Sequence, residues 1–155
     1  MEDISGYFDK VLNFLSFRAR SEYEINFYML RKNWPEEIRR KIIDKLNQLK
    51  LINDEDFARQ WIYSRNHSRP AGKALVKYEL QKKGIAKEII NRLLAEERTQ
   101  TTEEILAEKL CQKRLVRLKN LSSKEKKEKL FGLLSRRGFS SQTATEIIDK
   151  LIQRE

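Results

Sequence analysis

Apolar residues recur at helical spacing along most of the chain, and they do so three times in a similar order. In each copy an apolar residue is followed by a second four positions later and a third five positions after that. The trios are Ile25, Met29 and Trp34; Val76, Leu80 and Ile85; Leu130, Leu134 and Phe139. Equivalent positions lie 51 and then 54 residues apart. Repetition at such a period indicates stacked copies of one supersecondary unit.

Each trio is interrupted by a basic stretch that ends in a residue tolerant of left-handed backbone, namely Asn33, Gly84 or Gly138. Cations followed by Gly or Asn are typical of a helix C-terminus. After each cap an i, i+4 apolar stripe resumes, which predicts another helix. An amphipathic stretch also precedes each trio, carried by Phe8, Val11, Leu12 and Leu15, by Phe57, Trp61 and Ile62, and by Ile105, Leu106, Lys109 and Leu110.

The pattern therefore predicts an all-α protein of nine helices in three tandem three-helix repeats, residues 1–53, 54–98 and 99–155. Capping boxes are predicted at Ser21 with Glu24 and at Ser122 with Glu125. Five Gly and two Pro are too few for a many-stranded sheet protein. Charged residues make up 36% of the chain, above the globular average of about a quarter, which favours an elongated shape over a compact sphere.

Positive charge is concentrated in two stretches. The chain carries a net charge of +10, and the three repeats contribute +2, +3 and +5 in order. Residues 59–92 hold nine basic and two acidic side chains, and residues 109–137 hold eleven and two. Such stretches are candidate contacts for a polyanion or an acidic protein face. The candidate partner-binding residues are Arg65, Arg69, Lys73, Lys77, Lys82, Lys83, Lys113, Arg114 and Arg117.

Two features have a purely structural interpretation as well as a functional one. The segment at 64–73, SRNHSRPAGK, is either a mobile basic loop that grips phosphates or acidic side chains, or an ordinary solvated linker. The aromatic residues that crowd the first repeat could stack on bases, but most fall on apolar stripes, so core packing is expected.

Residues for catalysis or metal binding are missing from the sequence. Cys111 and His67 are single residues of their type, so neither an intramolecular disulfide nor a zinc ligand set can form. The acidic run at 53–56 precedes an apolar stretch and is interpreted as helix capping. No phosphate loop or Ser/His/Asp set is present, so no enzyme activity and no cofactor are expected. Without a membrane-length apolar run or a signal peptide, a cytoplasmic location is expected.

An ordered set of residues in the middle repeat resembles the signature of the RecX family of bacterial recombinase regulators. The set comprises Leu51-Ile52-Asn53-Asp54, Phe57-Ala58, Trp61-Ile62, Arg65, Gly72, Glu79-Leu80 and Lys83-Gly84-Ile85. RARSEYE at 18–24 with Ile25 resembles the signature of the first repeat. Asn33 and Lys50 depart from the pattern, since the family commonly has Gly at both positions.

The resemblance implies an elongated, curved array of three-helix repeats that lies along the groove of the RecA filament on single-stranded DNA. Such a protein would act as a regulator, usually an inhibitor. A long basic surface suits such a partner. A monomer is expected, with weak non-specific DNA binding and no membrane contact. The alternative is a helical repeat protein that binds nucleic acid directly and independently of sequence. The third helices are mixed in charge, which favours phosphate or protein contacts over base readout.

Overall fold

The computed structural model describes residues 3–155, and this part of the chain forms nine α-helices and no strands. The prediction of an all-α protein is confirmed. The helices are α1 (Ser5–Phe17), α2 (Glu22–Arg31), α3 (Glu36–Gln48), α4 (Asp54–His67), α5 (Lys73–Lys82), α6 (Lys87–Glu97), α7 (Gln100–Leu115), α8 (Ser123–Arg136) and α9 (Ser141–Gln153).

Each group of three helices has its own hydrophobic cluster. The first cluster runs from Phe8 to Ile52, the second from Phe57 to Leu94 and the third from Leu106 to Leu151. Every member of the three trios is buried, as the spacing predicts. Three separate small cores leave much surface exposed: the accessible area is 9954 Å², against about 8,200 Å² for a compact monomer of this mass. The molecule is therefore extended.

The second helix of each repeat ends as predicted. Asn33, Gly84 and Gly138 adopt left-handed backbone, with φ of 59°, 74° and 88°. Lys50 shares this conformation, with φ of 56°, so the chain keeps the left-handed turn without the Gly that the family commonly has there.

Of the two predicted capping boxes, the one at α2 is complete and the one at α8 is partial. Ser21 and Glu24 form a complete capping box at α2. At α8 the Ser122 hydroxyl accepts a hydrogen bond from the Glu125 backbone N–H, but the Glu125 side chain binds that hydroxyl rather than the Ser122 backbone.

The predicted apolar face of α7 is partly wrong. Ile105 is 60% exposed and Lys109 is exposed, whereas Ala107 and Cys111 are fully buried. Residues 105 and 109 lie about 200° around the helix from 107 and 111. The true face carries small side chains, and these escape a pattern search that weights large apolar residues.

A hydrogen bond from the start of one second helix to a carbonyl at the end of the next second helix joins neighbouring repeats. The Ser21 hydroxyl, at the start of α2, donates to the carbonyl of Lys83 at the end of α5, over 2.6 Å. The Gly72 N–H, at the start of α5, donates to the carbonyl of Arg137 at the end of α8, also over 2.6 Å. The second helices of the repeats therefore stack head to tail.

A carboxylate from the following repeat completes each joint. The N–H of Glu22 donates to Asp54 Oδ1 at 2.9 Å, and the N–H of Lys73 donates to Glu103 Oε1 at 2.6 Å. Glu22 and Lys73 are the first residues of their helices, so these N–H groups have no partner within the helix. Asp54 thus belongs to an acidic run that caps helices, as expected, but it also caps a helix of the preceding repeat.

Two glycines are required by close approach as well as by backbone angle. A Cβ at Gly84 would lie 2.2 Å from Tyr23 Cβ, and one at Gly138 would lie 2.4 Å from the backbone nitrogen of Leu75. The joints therefore have no room for a side chain at either position.

Candidate functional site

The nine predicted contact residues divide by whether they form ion pairs with other described residues. Arg65 is paired with Glu79, and Lys83 is paired with Glu24 at 3.2 Å. The other seven have no such pair within residues 3–155: Arg69, Lys73, Lys77, Lys82, Lys113, Arg114 and Arg117. Their charges are available to a partner.

The basic segment at 64–73 is more ordered than a mobile loop. Helix α4 continues through His67, so the connection to α5 is only 68–72. Arg65 lies in the last turn of α4, where its guanidinium binds both carboxylate oxygens of Glu79. The side chain of Arg65 is 18% exposed and that of Glu79 is 16% exposed. Arg65 therefore serves mainly as one member of a structural ion pair, and its charge is not free for a partner.

A groove at the joint between the second and third repeats brings the two basic stretches together. This loop groove encloses about 600 Å³ and is lined by His67, Ser68, Arg69, Pro70, Lys109, Leu110, Lys113, Leu133 and Arg137. Arg69 and Lys113 are thereby neighbours, although 44 positions separate them in the sequence. No carboxylate is among the lining residues within the described chain. The groove is built to attract negative charge.

Arg137 gives the loop groove its shape. Its Nε donates to the Pro70 carbonyl at 3.0 Å, and its Nη2 donates to the carbonyls of Arg69 and Pro70, each at 2.6 Å. Burial, followed by the charges of Arg65 and Arg69, lowers the pKa of Arg137. Arg69 itself is exposed, with φ of 54°. Arg137 thus fixes the backbone that presents Arg69.

A buried ion pair supports the same loop from beneath. The Arg98 side chain is fully buried and donates to the Ala71 carbonyl at 2.7 Å, to Glu103 Oε2 at 2.8 Å and to Asn66 Oδ1 at 2.8 Å. Sequence reasoning missed both members of the pair. The only signal in the sequence was position. Glu103 lies in the first turn of α7, the first helix of its repeat, as Asp54 lies in the first turn of α4 in the preceding repeat.

The remaining predicted residues lie outside the loop groove. Lys73 and Lys77 are one turn apart on α5, Arg114 is in the last turn of α7, and Arg117 follows that helix. Lys82 and Lys83 line a different groove, at the joint between the first and second repeats.

The one cysteine and the one histidine of the chain lie in different surroundings, the first in a core and the second at the surface. Cys111 is fully buried in the third core, and burial, with a smaller effect of Glu108, raises its pKa to about 12. His67 is exposed and stacks on Tyr63, with its Nδ1 2.9 Å from the Tyr63 carbonyl oxygen. Residues 3–155 contain no cluster of three or more His, Cys, Asp or Glu positioned for a metal ion. Within the same range no helix is long and apolar enough to span a membrane.

The fold and its grooves define a class of protein: tandem three-helix repeats with cationic grooves where the repeats meet. Models of the first, second and third three-helix domains of RecX match residues 8–46, 53–94 and 103–148. A protein named regulatory protein RecX from Chlorobium limicola is 35% identical over 146 residues, covering 92% of this chain and 87% of that protein. Another of that name, from Mycolicibacterium smegmatis, is 32% identical over 141 residues, covering 88% and 74%.

A solved structure agrees with these sequence matches. The crystal structure of RecX from Lactobacillus salivarius superposes with a TM-score of 0.82 at 28% identity and covers 96% of both chains. The chain belongs to the RecX family of regulatory proteins. The resemblance recognised in the middle repeat is confirmed and extends over all three repeats.

Proposed function

We propose that this protein regulates the RecA recombinase, most often as an inhibitor, by binding along the filament that RecA forms on single-stranded DNA. The observation that carries the proposal is the loop groove, where unpaired cations from two repeats converge in a member of a regulatory family. A filament groove lined by acidic protein faces and DNA phosphates would satisfy those cations. Such a partner would place the protein in the cytoplasm. We propose that the protein acts there as a monomer.

The proposed role requires no catalysis by this chain. The one cysteine is a buried thiol, and the one histidine is an exposed side chain bonded to its own helix. Any change in ATP turnover should therefore be exerted on hydrolysis by RecA. Purified protein that hydrolyses ATP in the absence of RecA, with contamination excluded, would contradict this part of the proposal.

Co-sedimentation with preassembled RecA filaments tests the proposal. Binding to the filament should be tighter than binding to the same strand without RecA, because the filament adds protein contacts to phosphate contacts. Binding to the naked strand should be weak, independent of sequence and reduced steeply by salt through counterion release. Equal affinity for filament and naked strand would contradict filament recognition, and a sequence-selective footprint would favour direct DNA reading.

A further inference from the structure

The groove at the joint between the first and second repeats combines aromatic rings with cations. This aromatic groove encloses about 550 Å³ between α2 and the C-terminal end of α5. Its lining includes Phe14, Tyr23, Phe27, Tyr28, Arg31, Lys32 and Lys82. It shares no lining residue with the loop groove, so a role for it is a separate question.

Two of these rings are exposed. Tyr23 is 52% exposed and Phe27 is 48% exposed, although the aromatic residues of the first repeat were expected in its core. That expectation is wrong for Phe27, which lies one turn after Tyr23 on the exposed face of α2. It is also wrong for Phe17, which is 76% exposed at the end of α1. The two rings are nearly parallel, with 12° between their planes and centroids 6.4 Å apart. Behind them Phe14 and Tyr28 stack at 4.3 Å and form an aromatic floor.

Unpaired cations surround the exposed rings. Arg31 lies over Phe27 at 5.7 Å from the ring centroid, and Lys32 lies over Tyr28 at 5.7 Å. Lys82 approaches from α5, and none of the three has an ion pair within residues 3–155. The one lining carboxylate, Glu24, is already bound by Arg18 and Lys83. The groove is therefore lined by flat aromatic rings and carries a net positive charge.

The same arrangement of ring and cation recurs one repeat further on. Tyr78 is 52% exposed and has Lys82 4.9 Å from its centroid, and these two residues lie 51 positions after Phe27 and Arg31. The second repeat therefore presents the same pair of exposed ring and cation as the first, at the matching positions of its own second helix. In the third repeat the cation persists as Arg136, but Gly132 stands at the ring position.

We propose that the aromatic groove binds single-stranded nucleic acid, with unpaired bases stacked on Tyr23 and Phe27 and with phosphates on Arg31, Lys32 and Lys82. Parallel exposed rings match the flat faces of bases, and stacking on aromatic side chains tolerates any base. A repeating order of ring and cation suits a polymer in which base and phosphate alternate. A short acidic peptide segment has no such alternation. The proposal goes beyond filament binding and beyond phosphate contacts with the naked strand, because it assigns base stacking to a defined groove.

The test separates stacking from charge by removing the bases. Fluorescence anisotropy at low salt would compare a labelled thymidine 12-mer with an abasic 12-mer that has the same sugar-phosphate backbone. The double variant Tyr23→Ala with Phe27→Ala should bind the thymidine strand at least about five-fold more weakly, since each stacked base contributes that factor or more. Its affinity for the abasic strand should be unchanged. Phe27→Trp, which keeps a ring, should retain binding.

The control is an exposed ring whose charged neighbours are net negative. Phe131 is 40% exposed and lies in a shallow depression with Lys127, Glu128 and Asp149. Phe131→Ala should leave both affinities unchanged. The proposal is overturned if wild type binds the two strands equally, or if the double variant loses affinity for both strands to the same degree. It is also overturned if the loss appears only on RecA filaments and not on the naked strand, which would assign the groove to a protein contact.

Discussion

Replacement of Glu103 by Ala should destabilise the joint between the second and third repeats. Arg98 would remain fully buried without its counter-charge, and the first N–H of α5, at Lys73, would lose its acceptor. Breaking a buried ion pair by removing one partner costs about 3–5 kcal/mol of unfolding free energy. We therefore expect a loss of about 4 kcal/mol for Glu103→Ala. Glu103→Gln should lose less, because it keeps an oxygen for the Lys73 N–H.

Urea unfolding followed by circular dichroism measures this loss. The matched control is Glu104→Ala, which removes a neighbouring carboxylate. That carboxylate accepts a 3.3 Å hydrogen bond from the Gln100 side chain. The control should change the unfolding free energy by less than about 1 kcal/mol, as is usual for surface substitutions. The reasoning is refuted if Glu103→Ala is no more destabilising than Glu104→Ala, since Arg98 would then not depend on its partner.

Three further changes test other parts of the structure. Gly138→Ala should destabilise by more than about 2 kcal/mol in thermal melts, because residue 138 has a positive φ and its new Cβ would meet the Leu75 backbone. The control Gly6→Ala lies in a helix with open space around it and should be neutral or slightly stabilising. Leu80→Ala should cost about 2–5 kcal/mol by leaving a cavity in the second core; a loss below 1 kcal/mol would contradict that burial. Burial opposes ionisation of Glu24, but hydrogen bonds from Arg18, the Ser21 N–H and Lys83 outweigh it and lower the Glu24 pKa to about 2. Glu24→Gln should therefore lose roughly 2 kcal/mol relative to wild type above pH 5, and this difference should vanish as pH falls from about 4.5 to about 2; a difference independent of pH would refute it.

Local signals in the sequence predicted much of the fold. The turns at Asn33, Gly84 and Gly138 were predictable because a basic stretch followed by Gly or Asn is a local signature of a helix end. The first two members of each buried trio were predictable because their i, i+4 spacing places them on one helix face. The third was predictable because it opens the apolar stripe that resumes after the cap. The repeat boundaries at 53/54 and 98/99 stay predictions.

Long-range polar contacts were not predictable in the same way. The partners of Arg98 lie 5 to 32 positions away, and no periodicity distinguishes a buried arginine from a solvated one. Charge counting identified the basic stretches that form the loop groove, but it could not show that Arg65 is neutralised by Glu79 or that Arg137 is committed to the loop backbone. The exposed ring of Phe27 was assigned to the core with the other aromatic residues of the first repeat, because most of them fall on apolar stripes.

The most direct test of filament recognition removes the free cations of the loop groove. Arg69, Lys109 and Lys113 would be replaced together by Ala, and affinity for preassembled RecA filaments would be measured across a salt series. A control triple variant at Lys10, Arg40 and Lys87 removes the same charge from exposed positions outside both grooves. The loop-groove variant should melt like wild type, bind filaments more weakly and show a flatter salt dependence, while the control stays close to wild type. Unchanged filament affinity and salt dependence in the loop-groove variant would contradict the account.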